Sequence, residues 1–462
     1  MGNLENENSE ILLKTKAKIL AQDYYQAIHL PAQQAKFVPD KSRVAYAGRI
    51  FDEKEIVSLL DASLEFWLTY GRYSQEFERK LAKYLGVRYA LLVNSGSSAN
   101  LLAFMALTSH LLKDRRIRRG DEIITVAAGF PTTVAPIIQY GAVPIFVDVD
   151  LKTFNIDVSQ LKIALSSTTK AVILAHTLGN PFNISAVKEF CDKNCLWLIE
   201  DNCDALGSKY AGRLTGTWGD IGTSSFYPPH HLTMGEGGAV YTNDHLLQKI
   251  LLSLRDWGRD CWCDSGRDNT CGKRFSGQFG TLPFGYDHKY VYSHFGYNLK
   301  ATDLQAAIGC AQLEKLPGFI ERRKENYHIL YESLKDLNEY FILHEATSDS
   351  DPSWFGFLIT LKDNTHFSRN DLVNYLESHN IQTRNLFAGN ITRHPCFDAL
   401  QEGIDYRIVG RLKNTDKLMN DSFWVGVYPG MNEVVVIYMA DTIRNFVNNQ
   451  DSLKKQRISE DL

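Results

Sequence analysis

Ser-Ser-Phe-Tyr-Pro-Pro-His-His-Leu-Thr-Met-Gly-Glu-Gly-Gly-Ala-Val, running from Ser224 to Val240, links two short β-rich runs, Thr223–Phe226 and Ala239–Thr242. The Pro-Pro pair and the four-residue Gly-Glu-Gly-Gly mark the intervening residues as loop. Outward from this stretch, similar runs recur back along the chain at Trp197–Glu200, Ala171–Ala175, Val143–Val149, Glu122–Val126 and Tyr89–Val93, alternating with helical stretches. Short apolar strands separated by helices predict an α/β domain whose sheet is mostly parallel and buried on both faces.

Flanking segments complete the expected organisation. Residues Ile11–Ile28 read as a helix within an N-terminal arm, 1–50, and the large domain is expected over 51–316. A helix from Thr302 to Leu316 leads into a smaller α+β domain, 317–462. That domain is expected to carry strands near Trp354–Leu361 and Val434–Met439 and a helix near Arg369–His379. The Cys- and Gly-rich stretch Arg259–Tyr286 has little periodicity and reads as a long functional loop.

The 462 residues are 44% hydrophobic, enough for a sizeable core, and a net charge of −4 gives no basis for nucleic-acid binding. The acidic, polar N-terminus is no signal peptide, and no apolar run approaches the roughly 18 residues of a membrane span. A cytoplasmic protein is expected, and there eight cysteines are thiols or metal ligands before they are disulfides.

Three strand ends carry candidate chemistry. Asn94-Ser95-Gly96-Ser97-Ser98 opens a helix with small residues, whose exposed N–H groups suit a phosphate but equally make an ordinary cap. Ala128-Gly129-Phe130-Pro131-Thr132 follows the next strand. Glu200-Asp201-Asn202-Cys203 ends an apolar strand in acids at the sheet edge where α/β proteins bind ligands.

Together these motifs resemble the sugar aminotransferases of the DegT/DnrJ/EryC1 family, which use pyridoxal 5′-phosphate (PLP). The resemblance implies the fold-type I PLP-dependent transferase architecture, with a seven-stranded large-domain sheet. It assigns Gly96, Ser97 and Ser225 to the cofactor phosphate, Phe130 to stacking on the pyridine ring, and Asp201 to the pyridine nitrogen. Asn298 is assigned to the phosphate of a neighbouring subunit, which implies a homodimer. The family's Schiff-base lysine falls at His230, and imidazole forms no stable imine. Lys209 and Lys300 are the other lysines weighed for that role, with nothing placing either at the cofactor. Arg384, in Gln382–Phe387, is similar to a residue approaching a sugar nucleotide, with pairing to a surface carboxylate as the alternative.

Cys203, Cys261, Cys263 and Cys271 follow the spacing Cys-x57-Cys-x-Cys-x7-Cys. Spacing alone leaves zinc, an iron–sulfur cluster and free thiols open. The pattern resembles one branch of the family, the CDP-6-deoxy-L-threo-D-glycero-4-hexulose-3-dehydrases, whose four cysteines hold a 2Fe–2S cluster. Cys203 lies about 7 Å of extended backbone beyond Asp201, so a cluster there is expected close to the cofactor. The branch implies pyridoxamine 5′-phosphate (PMP) as working cofactor and a nucleotide-linked 4-keto-6-deoxyhexose, CDP-linked, as substrate. It further implies His230 as general base, loss of the sugar C3 hydroxyl, and electrons from an NADH-dependent flavin/iron–sulfur reductase or a ferredoxin. The alternatives are a cluster-free PMP-dependent 3-dehydratase and a catalytically inactive PLP-fold protein.

Overall fold

A computed structural model describes residues 2–263 and 266–460; residues 264 and 265 of the expected loop and the extreme termini lie outside the described residues. Strands are numbered along the chain: β1 Tyr89–Val93, β2 Glu122–Val126, β3 Val143–Val147, β4 Thr169–Ala175, β5 Trp197–Asp201, β6 Ile221–Ser225, β7 Gly238–Thr242, β8 Phe341–Leu343, β9 Gly356–Leu361, β10 Thr383–Arg384, β11 Arg407–Ile408 and β12 Ser422–Gly426. The seven runs expected from the sequence all join one sheet, in the order β1–β7–β6–β5–β4–β2–β3. An eighth strand, β11, comes from far along the chain and pairs parallel to β3. The other neighbours are parallel too, except β7, which runs antiparallel to both β1 and β6.

Alternation along each strand explains the burial. Ile124, Val172 and Leu198 enter the core on one face, and Ile123, Ile173 and Ile199 enter that on the other. Neither face is left to water, which is why these runs read as continuous apolar stretches. Gly238 opens β7 where a Cβ would come 2.4 Å from the Ser95 carbonyl. Only glycine lets β7 pass beneath the turn that follows β1.

The second sheet is antiparallel, ordered β8–β9–β12–β10. A 32-residue helix, Asp303–Leu334, connects the two layers and opens on a capping box between Thr302 and Gln305. It runs straight past Pro317, where the sequence expectation ended it. Ala306, Cys310 and Leu316 pack into the core beside β1 and β7, while Tyr327, Leu330 and Leu334 pack into the core of the second sheet. Burial at both ends offsets the hydrogen bond that proline removes.

One strand expectation is overturned. Val434–Met439 is the start of a long helix, Glu433–Glu460. Its β-branched residues favour strand locally, but Val436, Met439, Ala440 and Ile443 recur at helical spacing and are all buried, while Val434 is 59% exposed. Tertiary packing overrides propensity here. At the N-terminus the helix begins earlier than expected, covering Gly2–Tyr24. Among the described residues, no helix is long and apolar enough to cross a membrane.

The helical reading of Val434–Met439 has a direct consequence. Met439→Ala is expected to lower unfolding free energy by about 2–5 kcal/mol, whereas Val434→Ala changes it by less than about 0.5 kcal/mol. Urea titrations of the two variants check this, because a strand would place residues 434 and 436 on one face and make 434 costly.

Candidate active site

The carboxyl ends of β1, β2, β4, β5 and β6 converge on a cavity of about 280 Å³. Phe355, Arg384, Phe387 and Trp424 close it from the second-sheet side. Of the residues singled out from the sequence, Gly96, Ser97, Phe130, Asp201, Cys203, Ser225, His230 and Arg384 all line this one space.

Asp201 ends β5 as a buried carboxylate. Its Oδ2 accepts from Asn100 Nδ2 and from Thr133 Oγ1, each at 2.7 Å, and its Oδ1 accepts from the Cys203 N–H at 3.2 Å. Asn100 is itself held by the Thr223 hydroxyl of β6 at 2.7 Å. A buried carboxylate satisfied in this way is fixed in orientation. Neither Asn100 nor Thr133 is visible as functional in the sequence; each shows only a polar residue one turn into an otherwise apolar helix.

Gly96 sits at the crossing of β1 and β6. A Cβ there would lie 2.4 Å from the Ser225 Cβ and 3.0 Å from the Cys203 sulfur. Glycine therefore keeps the backbone N–H groups of the following helix, Gly96–Ala106, against the cavity. The Ser95 side chain caps that helix by accepting from the Ser98 N–H at 3.0 Å. Ser97 faces Thr132 across the mouth, their hydroxyls 3.4 Å apart. Phe130 is half exposed and meets Phe387 edge-on at 5.8 Å. A lone aromatic with one face open to a cavity, beside an anion-suited helix end and a buried acid, fits a flat, phosphorylated, cationic ring.

His230 lies in the wall opposite. Its side chain is 15% exposed and its Nδ1 stands 3.6 Å from Asp204 Oδ1, too far for a hydrogen bond. Burial pushes the imidazole down to about 4, against the pull of the Asp201 carboxylate and with the help of the Arg323 cation. Burial, reinforced by Asp201, pushes Asp204 up to about 8. At neutral pH the pair is thus uncharged, and His230 presents a free lone pair. Arg323 is fully buried and donates to the carbonyls of Pro229, His230, Trp354 and Phe355, at 3.2 to 3.3 Å. It holds the backbone of His230 while leaving the ring unbonded at Nδ1. Asp204 and Arg323 both went unread in the sequence, because nothing local marks either one.

No lysine lines the cavity among the described residues. Lys209 is the exposed residue of a two-residue strand, and Lys300 packs 3.5 Å over the Trp257 ring while donating to Asn298 Oδ1 at 2.6 Å. Asn298 does not line the cavity of its own chain. Arg384 stacks 4.0 Å above the Tyr46 ring at the cavity rim, with its guanidinium on the Thr383 carbonyl at 2.7 Å.

The four cysteines expected to act together are divided. Cys203 is half-buried in the cavity wall, its thiol pushed up by burial and then by Asp201. Cys261, Cys263 and Cys271 line a separate recess on the loop. The ligand atoms that gather there, within 4.8 Å of one another, belong to Cys261, Cys271 and His288. The physical reason is anchorage: Cys203 is tied to the sheet through its N–H bond to Asp201, while the loop is pinned elsewhere by the Arg259–Tyr292 bridge. Among the described residues Cys203 does not line that recess.

Residues 50–444 match the DegT/DnrJ/EryC1/StrS aminotransferase family, and the chain belongs to it. The chain is 54% identical over 410 residues to the lipopolysaccharide biosynthesis protein RfbH of Salmonella typhimurium, covering 89% of this chain and 93% of that one. It is 50% identical over 441 residues to the dTDP-4-dehydro-2,6-dideoxy-D-glucose 3-dehydratase of Saccharopolyspora spinosa, covering 95% and 94%. Among solved structures, E. coli GDP-4-keto-6-deoxy-D-mannose-3-dehydratase with bound hydrated PLP aligns at a TM-score of 0.77 and 30% identity, over 87% of this chain and 99% of that one. The expected PLP-dependent transferase fold is the fold observed.

The depressed His230 value sets a pH dependence. Between pH 6.5 and about 4 the unfolded chain takes up a proton on this imidazole that the folded chain refuses, so the group contributes stability that is complete above pH 6.5 and is lost as pH falls. The unfolding free-energy difference between wild type and His230→Gln is expected to rise with pH over that window and to be level above it. Urea titrations at several pH values measure it, and a flat difference refutes the assignment.

Proposed function

We propose that this chain is a PMP-dependent 3-dehydratase acting on a nucleotide-linked 4-keto-6-deoxyhexose. The observation that carries the reading is His230 in place of the family's lysine, neutral and with an unbonded Nδ1, in a cavity lined by no lysine among the described residues. A covalent imine link to this side chain is excluded, while an imidazole held neutral is free to accept a proton.

The cavity residues suit the cofactor. Gly96, Ser97 and Ser225 would hold its phosphate, Phe130 would cover its ring, and Asp201 would keep the pyridine nitrogen protonated. When bound, PMP would supply an amine for the C4 ketone, a ring able to hold the electron pair left when its amine-bearing carbon loses a proton and to release it as the C3 hydroxyl leaves, and, without an outside reductant, the two electrons of the net deoxygenation, being itself oxidised to PLP and restored by an amine donor. His230 takes the proton from the cofactor's amine-bearing carbon. Asp204, protonated at neutral pH, faces it and can return a proton to the departing hydroxyl. Phe355 and Trp424 shield the reacting atoms from water, and Arg384 at the rim is placed to meet the diphosphate.

The relatives' names support the class. One carries a dTDP-sugar 3-dehydratase name, and another a GDP-sugar 3-dehydratase name with bound PLP. CDP, the nucleotide expected from the cysteine pattern, finds no counterpart among them. The name of the Salmonella relative supports a product destined for a surface polysaccharide. Asn298, which does not line the cavity of its own chain, supports a homodimer in which it serves the neighbouring subunit.

A second course, in which a 2Fe–2S cluster recharged by a flavin/iron–sulfur reductase or ferredoxin supplies the electrons, is favoured by the gathering of three cysteines on one loop. The likeness to the E. coli 3-dehydratase, solved with bound hydrated PLP, favours the cluster-independent course.

The test is incubation with PMP and CDP-, dTDP- and GDP-linked 4-keto-6-deoxyhexoses, with the product followed by mass spectrometry. Loss of the C3 oxygen with PMP alone supports the cluster-independent course, and product only with reductase and NADH supports the reductive one. His230→Asn is expected to slow dehydration by about 10²–10⁴-fold while PMP still binds. Wild-type dehydration in that variant, or amine transfer by the wild type, overturns the proposal.

A further inference from the structure

Tyr46 belongs to the N-terminal arm and stands before the stretch matched to the family, 50–444. No motif marks it in the sequence, yet it lines the same cavity as Asp201 and His230. The arm is fastened where it passes the second sheet. The Val44 N–H donates to the Asn380 carbonyl and the Gln382 N–H to the Val44 carbonyl, each at 2.9 Å, so that Val44 bridges Ile381 in parallel just before β10. The Tyr438 hydroxyl donates to Asp40 Oδ1 at 2.8 Å, and Asn380 Nδ2 donates to the Asp40 carbonyl at 2.7 Å. Past the bridge the arm lies directly on the end of β12, where a Cβ on Gly426 would come 2.2 Å from the Tyr46 carbonyl oxygen.

The ring placed in this way meets two other residues of the cavity. Trp424 of β12 approaches it edge-on at 5.4 Å. Arg384 of β10 sets its guanidinium carbon 4.0 Å over the ring centre. Among the described residues Arg384 makes one hydrogen bond, from Nη1 to the Thr383 carbonyl at 2.7 Å, and no carboxylate pairs with it. A guanidinium stacked on a ring uses its face and keeps its edge, where the N–H groups lie, for paired bonds to an anion. Arg384 is an exposed residue. Without such a seat, a long exposed side chain must be ordered each time an anion binds, which weakens binding.

We propose that Tyr46 is a positioning residue for the sugar nucleotide: its ring seats the Arg384 guanidinium at the cavity rim, ordered in advance for the diphosphate. A segment outside the family's matched stretch thereby sets nucleotide affinity. The choice of ligand rests on the 3-dehydratase reading given above. Tyr46 acts through Arg384 rather than on the reacting carbon, so its contribution falls on binding and not on proton transfer.

Calorimetry with CDP, dTDP and GDP, on full-length protein with PMP present, tests this in wild type, Tyr46→Leu, Tyr46→Phe, Arg384→Gln and the variant combining Tyr46→Leu with Arg384→Gln. Wild type is expected to bind at least one of the three nucleotides. Tyr46→Leu is expected to bind it about 3–30-fold more weakly, and Tyr46→Phe, which keeps the ring, to stay within about twofold of wild type. In the Arg384→Gln background Tyr46→Leu is expected to cost nothing further, the mark of two groups acting as a unit. Equal losses from Tyr46→Leu with and without Arg384 overturn the proposal, because they assign Tyr46 a direct or purely structural part. Loss of PMP binding in Tyr46→Leu, or no binding of any of the three nucleotides by wild type, overturns it as well. With whichever 4-keto-6-deoxyhexose is turned over, the Tyr46→Leu deficit is expected in KM, and a deficit in kcat alone refutes the positioning role. If none of the three sugars is dehydrated while the calorimetric pattern holds, the reaction assigned above fails and the seating of Arg384 by Tyr46 is upheld.

Discussion

The buried carboxylate of Asp201 is the constraint on which the rest of the site depends. It draws hydrogen bonds from the helix after β1, the helix after β2 and its own turn, and Asn100 passes the connection on to β6. Bonds to a charged acceptor contribute about 1.5–3 kcal/mol each, and leaving the charge unpaired inside the protein costs more. The two helices cannot drift from the strand ends without exposing that cost, so the cavity has one shape. Its neighbour Glu200 points to the other side of the strand. There it accepts three backbone N–H groups from the Gly216–Gly219 turn and meets His176. Two successive acids on one strand thus organise the two faces of the sheet.

Around that fixed carboxylate, His230 is tuned by groups from distant parts of the chain. Arg323 belongs to the long helix that joins the two sheets, and its guanidinium clamps the carbonyls on either side of the cavity wall. Its charge adds to burial in keeping the imidazole neutral, while Asp201 opposes both. The resulting base sits beside an acid held in its protonated form. A pair of titratable groups with values pushed apart by environment is what proton transfer to and from one substrate requires.

The parts of this architecture that the sequence displays are those encoded locally. Most of the seven strands are readable because they are short apolar runs bounded by turn residues, and the register of Ser224–Val240 places His230 without any structure. Local reading fails where long-range packing decides. Val434–Met439 has the composition of a strand and is helical because its buried residues must face one core. The helix crosses Pro317 because both its ends are buried. Asn100 and Thr133 look like ordinary helix residues until Asp201 arrives from a strand 101 and 68 positions away in the chain.

The sequence by itself determined the family, the alternation of strands and helices, and the exchange of lysine for histidine at position 230, since each is a matter of residue type at a given spacing. The tertiary structure alone decided that Asp204 faces His230, that Arg323 anchors its backbone, and that His288 joins Cys261 and Cys271 on the loop. Charge, burial and ligand geometry act through space, and the groups that set them here come from segments far apart along the chain.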